Sequence, residues 1–382
     1  MRRVTTNDPP PAATATAARA AGMDPRRRRR FIVAAMLLPI VALALIEGGL
    51  RLAGYSAPLD GSPLRFFNQQ GCDEHGRDAM MVADPVLFWR LRPGWTPRSG
   101  DDRVASTGYR SEFARTKAPG VRRVVCVGDS STYGLYVPAT SAWPSLLGRR
   151  LELAQGAGKW EVLNLGVPGY TSCQVRRLLD ADVAQLAPDV VVVQVGGFNE
   201  WVPAVRSSDR DQGRPPFWKD LRIVQFIAGA LGIRRRTLGD GAGGDESRAE
   251  IAGIERQVKV RDDARGVDEL RTADYRGTRR VSLSDFEDDL RAIADFGADH
   301  GARVVFVVHP LPARTSANNP AAAGYADAVR RFAASRGLPA VDGPAVFRAS
   351  GRSDADMFVD LCHPSSAGHA ALAGAVLEDV VR

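Results

Sequence analysis

From residue 123 to residue 381 the sequence switches, with one interruption, between short β-branched runs and longer stretches of helical apolar spacing. That alternation restricts the chain to few topologies. Residues 123–127, 162–165, 190–195, 304–308 and 338–341 read as strands, short and close to continuously apolar, as suits strands covered on both faces. Residues 143–153, 175–186, 286–300, 325–334 and 367–381 read as helices. A helix between two strands makes a parallel crossover. The pattern therefore predicts a three-layer α/β/α, doubly wound (flavodoxin-like), mainly parallel five-stranded sheet.

The N-terminus obeys other rules. Residues 1–25 are rich in Ala, Pro and Thr without apolar periodicity, so residues 1–30 are expected to be a disordered tail. Arg26 to Arg30 then precede residues 31–46, which are uncharged and mostly apolar. With Gly48 to Leu52 extending the run and Glu47 and Arg51 snorkelling, residues 31–52 reach the ~20 residues that cross a bilayer as one helix. The positive-inside rule leaves the tail cytoplasmic and the rest outside, as a single-pass cell-membrane protein. A cleaved secretory signal is the alternative, because Ala42-Leu43-Ala44 resembles a cleavage site. The long leader favours an anchor that stays, and either way the body leaves the cytoplasm.

The 382-residue chain is 45% hydrophobic, enough for a sizeable core, and much of its +7 charge lies in the arginine run. Elsewhere arginines are interspersed with acids, and no zinc-finger spacing or RNA-binding aromatic signature accompanies them. Nucleic acid is therefore excluded as an expected partner. Cys72, Cys126, Cys173 and Cys362 are too scattered for a metal cluster. Cys126 reads as a buried apolar residue, and a disulfide among the others stays open.

Residues 53–120 carry turn signals such as Arg92-Pro93-Gly94-Trp95, and read as an extended segment of strands and loops packed on a main domain at 121–382. An insertion at 201–280 separates the third strand from its return helix. Its residues 217–233 are apolar enough for a helix over the site or on the membrane face, and residues 239–244 are linker chemistry. The insertion is either a mobile cap or a solvated loop without a role.

Ligands of a doubly wound sheet bind beyond the carboxyl ends of its strands. Strand one runs into Gly128-Asp129-Ser130-Ser131-Thr132, strand two into Asn164-Leu165-Gly166-Val167-Pro168-Gly169, and strand three into Gly196-Gly197-Phe198-Asn199-Glu200. After strand five comes Asp360-Leu361-Cys362-His363-Pro364. A serine nucleophile needs a base within reach and a third group to orient that base. Three residues apart on a turn, Asp360 can accept one imidazole N–H of His363 while the other ring nitrogen faces Ser130.

The backbone N–H of Ser130, the N–H of Gly169 and the side-chain amide of Asn199 are the candidate oxyanion donors, with glycine at 169 letting the backbone approach the substrate. Each element alone is more often a turn or a helix cap. Four of them in order at four strand ends point to catalysis. His309, after the fourth strand, can line the pocket or serve structure equally. His369 on the last helix reads as structural and Trp143 as core. No phosphate-binding glycine loop is present, and no cofactor is expected.

Over residues 122–382, insertion apart, these blocks resemble the SGNH hydrolases, also called GDSL esterases or lipases. The resemblance implies that Ser130 is the nucleophile, that Gly169 and Asn199 are oxyanion donors, and that Asp360 and His363 complete the triad. Glu200 replaces the usual aspartate, and Ser131 stands where a leucine often follows the nucleophile. The implied activity is hydrolysis of acyl esters, of a lipid or an acylated glycan, outside the cytoplasm. An O-acyltransferase acting on a cell-envelope glycan is the alternative, and a non-catalytic glycan-binding protein a third class.

Overall fold

A computed structural model of the chain describes residues 25–53, 55, 80–84, 86–97, 102–204, 208–212, 221–231, 259–262, 267–270 and 275–382. Cys72, residues 239–244 and the tail before residue 25 lie outside them. Two compact units emerge, Met1–Pro58 with Trp218–Ile233, and Leu59–Phe217 with Arg234–Arg382.

In the larger unit, an antiparallel pair β1 (Met81–Asp84) and β2 (Phe88–Leu91) precedes β3 (Arg122–Gly128), β4 (Trp160–Asn164) and β5 (Val190–Val195). The insertion holds a second antiparallel pair, β6 (Lys259–Asp262) and β7 (Val267–Leu270). β8 (Arg303–Val308) and β9 (Ala340–Asp342) follow. The main sheet is parallel throughout, in the order β4-β3-β5-β8-β9. The doubly wound five-stranded sheet expected from the alternation is thus present.

Its strands are apolar on both sides because both sides are covered. Val125, Val127, Val191, Val193, Phe306 and Val308 share one buried cluster with residues of the helices Ser172–Leu178, Leu283–Asp299 and Pro320–Arg336. Val124, Cys126, Val190, Val192, Val305 and Val307 face the other way, into a cluster with the helices Trp143–Gln155 and Ser366–Val381. Each alternate valine of one strand therefore serves a different layer. β3 and β5 are neighbours whose following helices cover opposite faces, and the crevice at their carboxyl ends is the topological switch point where this fold binds ligands.

Some expectations shift in detail. The stripe expected to be one helix over 175–186 is α-helical only over Ser172–Leu178, then widens into a π turn over Leu179–Val183 and tightens over Ala184–Leu186. There Asp182 turns to meet Arg90 and Tyr109. Cys126 is buried, and Cys126, Cys173 and Cys362 are free thiols, so no disulfide joins the three described cysteines.

In the smaller unit the helix Pro25–Leu52 is long and apolar enough to cross a membrane, at about 42 Å for its 28 residues. It begins before the apolar run. Arginine is a good helix former, and adding turns to an existing helix is easy, so the basic residues expected in the tail form its first turns. Phe31, Met36, Leu38 and Leu45 are exposed along it. Near its end Glu47 pairs with Arg51 at 2.6 Å and accepts the backbone N–H of Ile223 at 2.9 Å. That contact seats the helix Arg222–Ala230 of the insertion, where Phe226 meets Tyr55 edge-on at 5.7 Å.

Candidate active site

β3 ends at Gly128, and a Cβ there would meet Thr132 Oγ1 at 2.3 Å and the Gln194 carbonyl at 2.6 Å. Only glycine lets the chain turn so tightly from the strand into the helix Ser130–Tyr133. Asp129 caps that helix, its Oδ1 accepting the Ser131 N–H at 2.9 Å. The cap fixes the turn that presents Ser130 at the strand end.

His363 reaches this serine from a loop more than two hundred residues away in sequence. Its Nε2 lies 2.8 Å from Ser130 Oγ, and its Nδ1 lies 2.7 Å from Asp360 Oδ2. Asp360 Oδ1 accepts the backbone N–H groups of Cys362 at 2.9 Å and His363 at 2.8 Å. The carboxylate thus holds both its own turn and the ring. Burial opposes charge on Asp360, but the His363 contact and the two N–H donors hold its pKa below the usual carboxylate range.

His363 is raised well above its ordinary value although burial works against the charged ring. Its neighbours are Cys362 and Asp360. Burial pushes the Cys362 thiol up, which leaves it neutral at neutral pH, so Asp360 is the group that favours the imidazolium. An ionised carboxylate on Nδ1 places the neutral ring's proton there and leaves Nε2 free to take the serine proton.

One cavity is lined by Ser130, Gly169, Asn199, His309, Asp360 and His363 together, with Leu135, Pro168, Phe198 and Leu361 as apolar walls. Gly169 has φ +82°, a left-handed conformation that favours glycine, beyond the close approach expected from sequence. Asn199 is the second residue of the short helix Phe198–Trp201 after β5, and its Nδ2 donates to Asp129 Oδ2 at 3.2 Å. That bond orients the amide and leaves its second N–H available. Glu200, in the place of the usual aspartate, is buried and accepts the Ser172 N–H at 3.1 Å. Its pKa is pushed up to about 8 by burial, to which the Asp129 charge adds.

His309 is buried in the cavity wall, and its protonation can be read from its neighbours. Gln194 Oε1 accepts from Thr132 Oγ1 and from Trp143 Nε1, each at 3.0 Å, so its NH2 faces His309 Nδ1 at 3.3 Å. His309 Nδ1 is therefore an acceptor and its proton sits on Nε2, in a ring that burial keeps neutral. His369 is buried and accepts the Trp143 N–H at 3.2 Å, and Trp143 is core.

Asp360, Cys362 and His363 also bring potential metal ligands within 4.8 Å of one another. The 2.7 Å between Asp360 Oδ2 and His363 Nδ1 is a hydrogen bond. Two ligands of one tetrahedral ion, each ~2 Å from the metal, stand roughly 3.3 Å apart, so this spacing holds a proton rather than an ion.

Several residues around the site were missed by sequence reasoning. Tyr136 stands edge-on to His363 at 5.2 Å, with φ +67°. Trp89 and Arg280 bond the carbonyls on either side of the Gly169 nitrogen and α-carbon. Gln194 alone left a signal, a polar residue in a strand otherwise made of valine.

A profile of the GDSL-like lipase/acylhydrolase family matches residues 126–371. The chain belongs to this family. The hydrolase is similar in structure to an acetyl xylan esterase variant from Geobacillus stearothermophilus, at 16% identity and TM-score 0.43, covering 70% of this chain and 97% of that one. A lipase/acylhydrolase from Enterococcus faecalis is similar at 17% identity and TM-score 0.42, covering 68% and 95%. An α/β hydrolase from the metagenome of Lake Arreo, Spain, is similar at 19% identity and TM-score 0.42, over 68% and 95%. Comparison with curated proteins finds no match.

Proposed function

We propose that this hydrolase is a serine esterase that cleaves acyl esters through an acyl-enzyme on Ser130, held outside the cytoplasm by its N-terminal helix. The observation that carries the reading is the relay from Ser130 Oγ to His363 at 2.8 Å and on to Asp360 at 2.7 Å. Ser130 Oγ attacks the ester carbonyl carbon while its proton passes to His363 Nε2, and Asp360 steadies the imidazolium. The N–H groups of Ser130 and Gly169 and the amide of Asn199 take the oxyanion charge. The intermediate collapses with the alcohol leaving, protonated by His363. Water then repeats the sequence on the acyl-enzyme and releases the acid, with no cofactor.

The domain limits at 53 and 121 and the insertion at 201–280 belong to the same reading. The exposed apolar helix and the arginines at its start support an anchor with a cytoplasmic N-terminus and a substrate among lipids or acylated glycans. Fluorophosphonate labelling of the full chain tests the chemistry. An adduct on Ser130, absent from Ser130→Ala and His363→Ala, is expected. A folded wild-type protein that neither labels nor hydrolyses short esters overturns it. For the topology, a phosphatase fused after Arg382 is expected to be active, and an inactive fusion puts the domain on the cytoplasmic side.

A further inference from the structure

We propose that Trp89, which precedes the family-matched region, is a positioning residue for the oxyanion hole. It rests on the reading of Gly169 as an oxyanion donor. Trp89 lies on β2, fully buried, and its indole Nε1 donates to the Pro168 carbonyl at 3.2 Å. Pro168 C=O and Gly169 N–H belong to one peptide plane. That peptide is trans, so the two groups point in opposite directions. Holding the carbonyl on the Trp89 side turns the Gly169 N–H the other way, toward the cavity that Pro168 and Gly169 line. Among the described residues no backbone acceptor takes that N–H.

The next peptide is held as well. Arg280 Nη1 donates to the Gly169 carbonyl at 2.8 Å, while its Nη2 bonds Asp209 Oδ2 at 2.8 Å and Gln174 Oε1 at 3.0 Å. Asp209 Oδ2 in turn accepts from Thr171 Oγ1 at 2.8 Å. Arg280 also stacks over the Trp89 ring at 5.7 Å, and the Tyr170 hydroxyl donates to the Trp89 carbonyl at 2.6 Å. Gly169 needs such support. Its left-handed φ of +82° sits in a turn that the Tyr170 N–H closes on the Val167 carbonyl at 3.1 Å, and within that turn the Pro168–Gly169 peptide can rotate unless its carbonyl is tied. A misdirected N–H contributes nothing to the transition state, where donor geometry decides the gain.

The test is Trp89→Phe in the full-length protein, which keeps an aromatic ring and removes the N–H. Kinetics with a short p-nitrophenyl ester are normalised to active sites titrated by fluorophosphonate. Affinity for a trifluoromethyl ketone that forms a tetrahedral adduct on Ser130 is measured in parallel. Losing one oxyanion donor costs about 100- to 1,000-fold in kcat, so misorienting one is expected to cost ~10- to 100-fold, with KM changed less than about twofold. Affinity for the ketone is expected to fall by the same factor as kcat/KM. A purely structural tryptophan would lower thermal stability or the titratable fraction and leave both per-site constants unchanged, which overturns the proposal. Should Trp89→Phe fail to fold, β-(3-benzothienyl)alanine at position 89 keeps the bicyclic shape without the N–H and reads the same constants. Asn199→Ala, run alongside, separates the two ideas. If it lowers kcat and Trp89→Phe does not, the role of Trp89 falls while an oxyanion hole built on Asn199 stands, and if neither does, the oxyanion reading falls with it.

Discussion

Asp360→Asn is a demanding test of the relay because the surroundings dictate how the new side chain must sit. Asp360 Oδ1 receives the N–H groups of Cys362 and His363, at 2.9 and 2.8 Å, and Oδ2 receives the ring at 2.7 Å. An asparagine keeps its oxygen on the two backbone donors, since an NH2 there would face N–H against N–H. Its NH2 is thereby turned onto His363 Nδ1, which must become the acceptor. The neutral ring then carries its proton on Nε2, against Ser130 Oγ, and the serine loses its base. A base held in the wrong tautomer costs about 10,000-fold in kcat, or about 5 kcal/mol of barrier. Ester hydrolysis per folded molecule, with circular dichroism and thermal unfolding to establish folding, measures it. The wild-type pH profile belongs to the same experiment. His363 is raised above its ordinary value and must be neutral to act, so kcat/KM is expected to rise with pH through an apparent pKa above ~6.5, and that limb moves down in the variant. A loss below about tenfold in a folded variant would refute the relay, because no wrong-tautomer base retains that much activity.

Other consequences concern stability and its pH dependence. Gly128→Ala puts a Cβ 2.3 Å from Thr132 Oγ1 and 2.6 Å from a backbone carbonyl, so a loss of about 1–3 kcal/mol is expected, and an unchanged denaturation midpoint would contradict that geometry. His369 is pushed down to about 3 by burial, so the unfolded chain takes up its proton first and stability falls as pH drops below ~6.5, by about 2 kcal/mol at pH 5. His309 acts in the same direction and His363 in the opposite one. His369→Gln is therefore expected to flatten the acid side of the Tm profile, and a variant profile parallel to wild type would show that this ring is not held neutral. Glu200 has the reverse sign for a carboxylate. Raised to about 8, it keeps its proton in the fold while the unfolded chain has lost it, so stability declines as pH climbs from its ordinary value of 4.5 to about 8. Glu200→Gln keeps an acceptor for the Ser172 N–H and is expected to gain on wild type above pH 8, whereas a constant difference across pH 5–9 would mean that Glu200 is ionised throughout.

The fold and the candidate site were legible before the structure because both are written in local pattern. Parallel strands buried on two faces must be short apolar runs, and helices that cover them must carry apolar stripes, so the alternation after residue 123 allowed little besides a doubly wound sheet. Such a sheet collects the residues after its strands into one crevice, which is why Ser130, Gly169 and Asn199 stood out as candidates after three strands, whereas Asp360 and His363 follow β9 only after the helices Gly343–Ala349 and Asp354–Met357. Tertiary structure decided what has no local signature. The distances in the relay, the left-handed φ of Gly169, the Asp129 bond that orients Asn199 and the tautomer of His309 depend on groups brought together from far along the chain. Trp89 reads in sequence as one more aromatic in a loop-rich segment, and Arg280 as one of many arginines. Only folding, which sets an indole N–H and a guanidinium on two successive carbonyls, distinguishes them, because a hydrogen bond between distant segments leaves no periodicity to read.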